Sequence, residues 1–554
     1  MVSYLTSLIQ CLQIIVFARQ AAAAQSNWRV GQLVKTSSGS IKGHAASDAD
    51  QVSEYLGIPY AQPPIDDLRF QPPVSFNGTS IITATDFGHA CMQPFLSLQG
   101  SGKKRQGALA GLGITEAGIA LLMNYGSTIP SQDEDCLTLN VWTKPQTGDD
   151  KKAVLVWIHG GGYKTGASGI AWYNGQYFAD EEDVVLVSFN YRMNIFGFPG
   201  SPDATANLGL LDQRLAIEWI RDNIEGFGGD PARITIFGQS AGGSAVDIYS
   251  YAWTEDPIVN GFISQSGVAR SKDFIDSDTA SDQWQSVASG AGCSGSSSDT
   301  LSCMMDLPAT KVLSAVATAT TYGPVVDNTL VFSDYATQTP VALPMLVGHT
   351  DFEPGLTRAL TQFKAAEDVY TDQEQDIWVC PTAERSQASV QIGAPIWRYR
   401  YFGAFPNTIL TENPPSGAYH TCELPILFGT VPQTVVSNTD AENEISTYMR
   451  GAWAAFAKDP EQGLVSYGGG WPQYSADGNT LIRLAFNNES GTNLDAGNAY
   501  DGSCSADSST GTPSSTATGS PSPTPSNQAG RSLSASFDKM YIAAGLVVVA
   551  FIYI

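Results

Sequence analysis

Apolar and polar positions fall into blocks that separate strands from helices. "AVLVWIHG" (153–160) and "DVVLVSFNY" (183–191) are unbroken, β-branched apolar runs. They lack the alternation of a half-exposed strand, which predicts strands buried on both faces. In "NLGLLDQRLAIEWIRDNI" (207–224), Leu208, Leu211, Leu215, Trp219 and Ile220 recur at helical spacing and predict a helix with one apolar face. "RITIF" (233–237) is the next strand, "AGGSAVDIYSYAW" (241–253) the next helix and "GFISQSG" (261–267) a strand again. "LPMLVG" (343–348) and "IWRYRYFG" (396–403) are later strands. Strand–helix–strand order implies right-handed crossovers and a largely parallel central sheet flanked by helices, an α/β fold. Chemistry on such a sheet gathers in loops at the C-terminal strand ends. No linker, repeat or long charge run interrupts the body, so residues 25–504 read as one domain with insertions.

The two ends break this pattern. Residues 1–24 hold an apolar stretch ending in small residues at Ala22 to Ala24, which predicts a secretory signal that removes Cys11. Residues 505–527 are a Ser/Thr/Pro tract, unable to form a core. Residues 528–554 end in "MYIAAGLVVVAFIYI", 15 apolar residues with nothing after them. That is short for a spanning helix, which needs about 20 residues. A short apolar tail after a polar spacer predicts a GPI-attachment signal, with Asn527 as the site of attachment, and a tail anchor as the alternative. Asn77 and Asn488 head glycosylation triplets, consistent with a secreted or cell-surface protein.

Composition then removes several function classes. A net charge of −25 would repel nucleic-acid phosphate. There is no Cys-x-x-Cys and only five histidines, so a zinc site has little to build on, and the serine chemistry described below needs neither metal nor cofactor. Seven cysteines remain beyond the signal, and pairing in sequence order would join Cys91–Cys136, Cys293–Cys303 and Cys380–Cys422, leaving Cys504 alone. Spacing by itself does not prove that arrangement.

The chemistry begins at "ITIFGQSAGGSA" (234–245), where Ser240 lies between Gly238 and Gly242 after a strand and before a helix. This is the setting of a nucleophile elbow, and the helix start aims backbone N–H groups at developing negative charge. "IHGGGY" (158–163) follows a buried strand upstream, and the amides of Gly161, Gly162 and Ala241 are candidates for an oxyanion hole. In chain order Ser, acid, His, elimination among His44, His89, His159, His349 and His420 favours His420 as general base. For the acid, Asp351 and Glu353 both follow the 343–348 strand, and Asp327 also stays open.

Together these residues resemble the type-B carboxylesterase/lipase family, which includes the cholinesterases and large secreted lipases. The similarity runs over residues 30–490 and includes "YLGIPYAQPPIDDLRFQPP" (55–73), "EDCLTLNVW" (134–142), the glycine loop, "NYRMNIFGF" (190–198), "NLGLLDQRLAIEWIRDNIEGFGGDP" (207–231) and "ITIFGQSAGG". The resemblance implies an α/β-hydrolase fold and a serine ester hydrolase. It puts the nucleophile on Ser240, the oxyanion amides on Gly161, Gly162 and Ala241, and the acid on Glu353, five residues after Gly348. It puts the base on His420, just before "ELPILFG". It implies the Cys91–Cys136 and Cys293–Cys303 disulfides and an Arg69–Glu134 salt bridge, whereas only some relatives carry the counterpart of Cys380–Cys422.

Two departures bear on substrate. The cholinesterases hold a cation-binding Trp in the loop closed by the first disulfide, and residues 92–135 contain no Trp. Gln239 stands where those enzymes place a Glu. Both point to neutral esters. The same loop, apolar over 107–125, forms either a lid, as in related lipases or sterol esterases, or a fixed pocket wall, the reading favoured here. Loss of the serine marks the family's non-catalytic adhesion proteins, and Ser240 argues against that role. Oligomeric state is not legible.

Overall fold

A computed structural model describes residues 27–94, 102–316, 321–361, 366–502 and 504. The expected signal (1–24), the Ser/Thr/Pro tract (505–527) and the tail with Asn527 and 528–554 lie outside the described residues. Among those described, no helix is long and apolar enough to cross a membrane.

The strands are β1 (Leu33–Thr36), β2 (Gly39–Lys42), β3 (His44–Ala45), β4 (Ser53–Pro59), β5 (Ile81–Thr83), β6 (Thr138–Thr143), β7 (Lys152–Ile158), β8 (Val185–Phe189), β9 (Gly229–Gln239), β10 (Gly261–Gln265), β11 (Met345–Thr350), β12 (Ile396–Tyr401), β13 (Asn479–Leu484) and β14 (Asp495–Ala496). Eleven of them form one sheet in the order β14-β13-β12-β11-β10-β9-β7-β8-β6-β4-β3, and β1, β2 and β5 form a small separate one. From β8 across to β13 every neighbouring pair is parallel, and antiparallel pairing occurs only towards the two edges.

The unbroken apolar runs have a direct cause here. Along β7, Leu155 and Trp157 enter one core while Val154, Val156 and Ile158 enter the other. Helices Leu208–Asn223 and Ala241–Ala252 supply Ile217, Ile220, Val246 and Ile248 to the second core. Helix Asp440–Lys458 covers the opposite face with Ile445, Met449, Trp453 and Phe456. Each such side chain contributes roughly 1.5–3 kcal/mol on burial, so a polar residue on either face of β7 would be costly.

The loop closed by Cys91–Cys136 contains helices Gly102–Gly111 and Glu116–Ser127. They are pinned rather than perched: Leu109, Ile114, Leu121, Leu122 and Tyr125 join the main core. Thr115 also bonds the carbonyls of Leu410 (2.8 Å) and Ile409 (2.8 Å). Arg69 grips Glu134 through two parallel hydrogen bonds of 2.7 and 2.6 Å, as the resemblance implied.

Cys293–Cys303 is present, but Cys380 pairs with Cys504, not with Cys422. The reason is where each sulfur lies. Cys422 is sealed in the core beside Leu424 and Phe428 and is free. Cys380 opens helix Cys380–Gln391, where the chain returns: Arg398 pairs with Asp501 at 2.6 Å and Gln375 donates to the Tyr500 carbonyl at 3.4 Å. The disulfides suit an oxidising compartment.

Candidate active site

Strand β9 ends at Gln239, and the chain turns at Ser240 before the helix beginning at Ala241. Ser240 has φ 57° and ψ −125°, a conformation costly for a residue with a side chain, of order 1–3 kcal/mol. The surroundings enforce it. A Cβ on Gly242 would lie 2.1 Å from the Ile158 carbonyl oxygen, and one on Gly238 2.5 Å from that of Gly242. The Ser240 N–H donates to the Gln265 carbonyl at 2.8 Å, and Ser244 N–H donates back to Ser240 O at 2.9 Å. Ser240 itself is partly exposed while Gln239 and Ala241 are buried.

The glycine loop leaves β7 directly against this turn: a Cβ on Gly160 would lie 3.0 Å from the Ser240 Cβ. Gly161 (φ 115°) and Gly162 (φ 60°) adopt left-handed conformations open to glycine. No backbone carbonyl of the described residues accepts from either N–H. The Ala241 N–H, first in its helix, likewise has no intrahelical acceptor. His159 is spoken for by the loop: its Nδ1 bonds Gly160 O at 2.9 Å, its ring stacks on Tyr191 at 4.5 Å, and burial pushes its pKa down to about 4.

Strand β11 delivers Glu353, which is 1% exposed. Its Oε1 accepts from Thr350 N–H at 2.8 Å, and its Oε2 is hydrogen-bonded to His420 Nδ1. Two backbone bonds zip the loops together, Phe352 N–H to Ala418 O at 2.9 Å and His420 N–H to Glu353 O at 3.3 Å. The competing residues are engaged elsewhere. Asp351 turns outward to Arg400 at 2.8 Å. Asp327 Oδ1 accepts from the N–H groups of Thr329, Leu330 and Val331. His349 is buried with Nδ1 2.8 Å from Thr350 O, and burial with the charges of Arg400 and Arg398 pushes its pKa well down.

Three further residues meet at this centre, and of them the sequence alone singles out only Gln239. The Gln239 amide nitrogen lies 3.2 Å from His420 Nε2 and 3.5 Å from Nδ1. Trp378 rests against the His420 ring with centroids 5.7 Å apart. Glu423 is fully buried three residues beyond His420, where burial, then the charge of Glu353, pushes its carboxyl up to about 8. Gln239 is marked in the sequence by its place beside Ser240 but not by its contact with His420, and nothing local marks the roles of the other two. Asn77 is exposed, whereas the Asn488 amide bonds both the N–H (3.1 Å) and the carbonyl (3.0 Å) of Ala404. Among the described residues no group of metal-ligating side chains is present.

A parallel sheet carrying a strained serine turn, a glycine loop and a Glu–His pair at its C-terminal strand ends has the layout of an α/β-hydrolase. A model of the Carboxylesterase family matches residues 31–377 and 361–500, and the chain belongs to that family: it is a carboxylic ester hydrolase. It is 33% identical to chlorogenic acid esterase of Aspergillus niger over 451 residues, covering 78% of this chain and 84% of that one. It is 32% identical to secreted lipase 5 of Gibberella zeae over 504 residues, covering 82% and 90%. Mouse cholinesterase is 37% identical over 244 residues, 42% of this chain and 37% of the relative.

Proposed function

We propose that the protein is a secreted carboxylesterase acting on neutral esters through Ser240, His420 and Glu353. The observation that carries this reading is the hydrogen bond from His420 to buried Glu353 beside the Ser240 turn. With Nδ1–H held by Glu353, His420 Nε2 accepts the Ser240 proton as Oγ attacks the ester carbonyl. The oxyanion that forms takes hydrogen bonds from Gly161, Gly162 and Ala241. The His420 imidazolium then protonates the leaving alcohol, and a water deprotonated by His420 releases the acid from Ser240.

A neutral substrate is supported by the uncharged Gln239 and by the absence of Trp from residues 92–135. The packing of helices Gly102–Gly111 and Glu116–Ser127 into the core favours a fixed wall over a lid. The relative named a secreted lipase supports a second reading as a lipase. A jump in rate as substrate passes from solution to emulsion would favour the lipase. Secretion is supported by the disulfides and by that relative's name. Glycosylation belongs first to exposed Asn77, and Asn488 is the second acceptor. Attachment through Asn527 to a GPI anchor is tested by release with a phosphoinositide-specific phospholipase.

Covalent labelling by an organophosphate tests the central assignment. Wild type takes up one equivalent, Ser240→Ala none; labelling that survives in the variant removes Ser240 as nucleophile.

A further inference from the structure

We propose that Trp378 is a specificity residue, an aromatic wall beside His420 that selects esters carrying a planar aryl group next to the scissile carbonyl. This rests on the reading of Ser240 and His420 given above.

Trp378 differs from the tryptophans of the sheet core. Trp157, Trp397 and Trp453 are fully buried. Trp378 is only partly buried, and among the described residues its one ring partner is His420, tilted 48° to it. An indole that only fills a core is enclosed by its neighbours; this one is part-exposed and lies against the imidazole that handles the proton. Its N–H donates to Ser266 O at 3.2 Å. Ser266 is tied by its own N–H to Gly348 O at 2.7 Å, and Gly267 beyond it abuts the serine turn, where an added Cβ would sit 2.1 Å from Ser240 O. The indole therefore touches the base and is anchored one residue from the backbone that holds the nucleophile.

Its position is fixed rather than borrowed from a loose loop. Residues Gln375–Val379 form a π-helical turn between two α-helices, a geometry that recurs at functional sites. Val379 is wholly buried while Trp378 beside it is not. The turn is clamped at its end by the Cys380–Cys504 disulfide and at its start by Gln375 donating to Tyr500 O. A preformed aromatic plane gives contact area with little ordering cost.

The ligand class follows from charge. The indole already faces an imidazole that becomes cationic during the reaction, so a second cation there would be repelled. Gln239, on the same ring, adds no negative charge. A neutral planar group remains, gaining an offset-stacked or edge contact worth about 3- to 10-fold in binding. The aryl group can sit on the acyl side or the alcohol side of the ester.

Matched substrate pairs test this on the full-length protein: methyl benzoate against methyl butyrate, and phenyl acetate against ethyl acetate. In Trp378→Leu the aryl preference in kcat/KM falls about 3- to 10-fold for one pair, naming the side, while Trp378→Phe keeps most of it. Organophosphate uptake counts competent sites in each protein, so a folding defect is corrected for. Equal loss on aryl and alkyl esters, or an aryl preference unchanged or increased in Trp378→Leu, overturns the proposal alone. Failure of wild type to be labelled overturns the Ser240 assignment and this proposal with it.

Discussion

The side-chain amide of Gln239 lies alongside the imidazole of His420, 3.2 Å from one ring nitrogen and 3.5 Å from the other. Near-equal distances to both nitrogens place the amide along the ring rather than on the in-plane axis of either, where a hydrogen bond would form. The Nε2 lone pair thus stays free for a serine proton. The position next to the nucleophile supplies contact without charge.

Gln239→Glu converts that contact into an ion pair. A carboxylate within 4 Å of the ring favours the imidazolium, and burial pushes the neighbouring Glu423 carboxyl up to about 8, so it adds no competing negative charge below that pH. The acidic limb of the kcat/KM–pH profile should move up by about one unit, with activity at high pH retained. A limb that stays where it was would show that the amide does not sense the ring's charge.

Glu353→Gln keeps the shape of the acid and the bond to Thr350 N–H through its carbonyl oxygen. Facing Nδ1 with an amide, it no longer fixes the required tautomer or stabilises the imidazolium. We expect kcat to fall about 10³- to 10⁴-fold with KM little changed. An equivalent loss in Asp351→Asn, whose carboxylate is paired with Arg400 instead, would mean the wrong acid was assigned.

Gly242→Ala meets backbone rather than a yielding side chain, at 2.1 Å from the Ile158 carbonyl oxygen. Either β7 or the helix start must move, and both hold parts of the site. The variant should lose a few kcal/mol of stability, seen as a lowered Tm, and most of its organophosphate uptake. Gly107→Ala, in open space, is the control and should leave both unchanged.

Stability against pH has a defined shape. Glu423 titrates at about 8 when folded against an ordinary 4.5, so folding retains a proton that the unfolded chain has lost, and stability falls as pH rises between those values. His159, at about 4 against 6.5, works oppositely: the unfolded chain gains a proton that the buried ring refuses, and stability falls as pH drops through that window. Between 4.5 and 6.5 the two slopes cancel, leaving a plateau followed by a decline towards pH 8 of up to about 1.4 kcal/mol per pH unit. Glu374, pushed up by burial, and His349, pushed down by it, add one contribution of each sign. Melting curves across pH 4–9 check it, and Glu423→Gln should flatten the limb above 6.5.

Much of this was legible in the chain because burial on both faces of a sheet leaves a local mark. The β7, β8 and β9 runs and the helices at 208–223 and 241–252 came within a few residues of their observed ends. The serine turn and glycine loop were legible because close backbone approach leaves room only for glycine, whether the neighbour is near in sequence, as Gly242 is to Gly238, or far, as Ile158 is to Gly242. Choosing the acid was not local. Asp351 and Glu353 are two residues apart, and Arg400, 49 positions on, decides which is drawn outward. The third disulfide was hidden likewise, joining cysteines 124 residues apart through a chain return that spacing does not encode.

That bond has a consequence for proteolysis. Loops at 412–415 and 433–435 are exposed, and both lie within the segment that Cys380 and Cys504 close. A cut at the first would put Glu353 and His420 on different polypeptides. The sulfur bridge would keep those polypeptides one molecule, so a nicked enzyme would run as a single band until it is reduced.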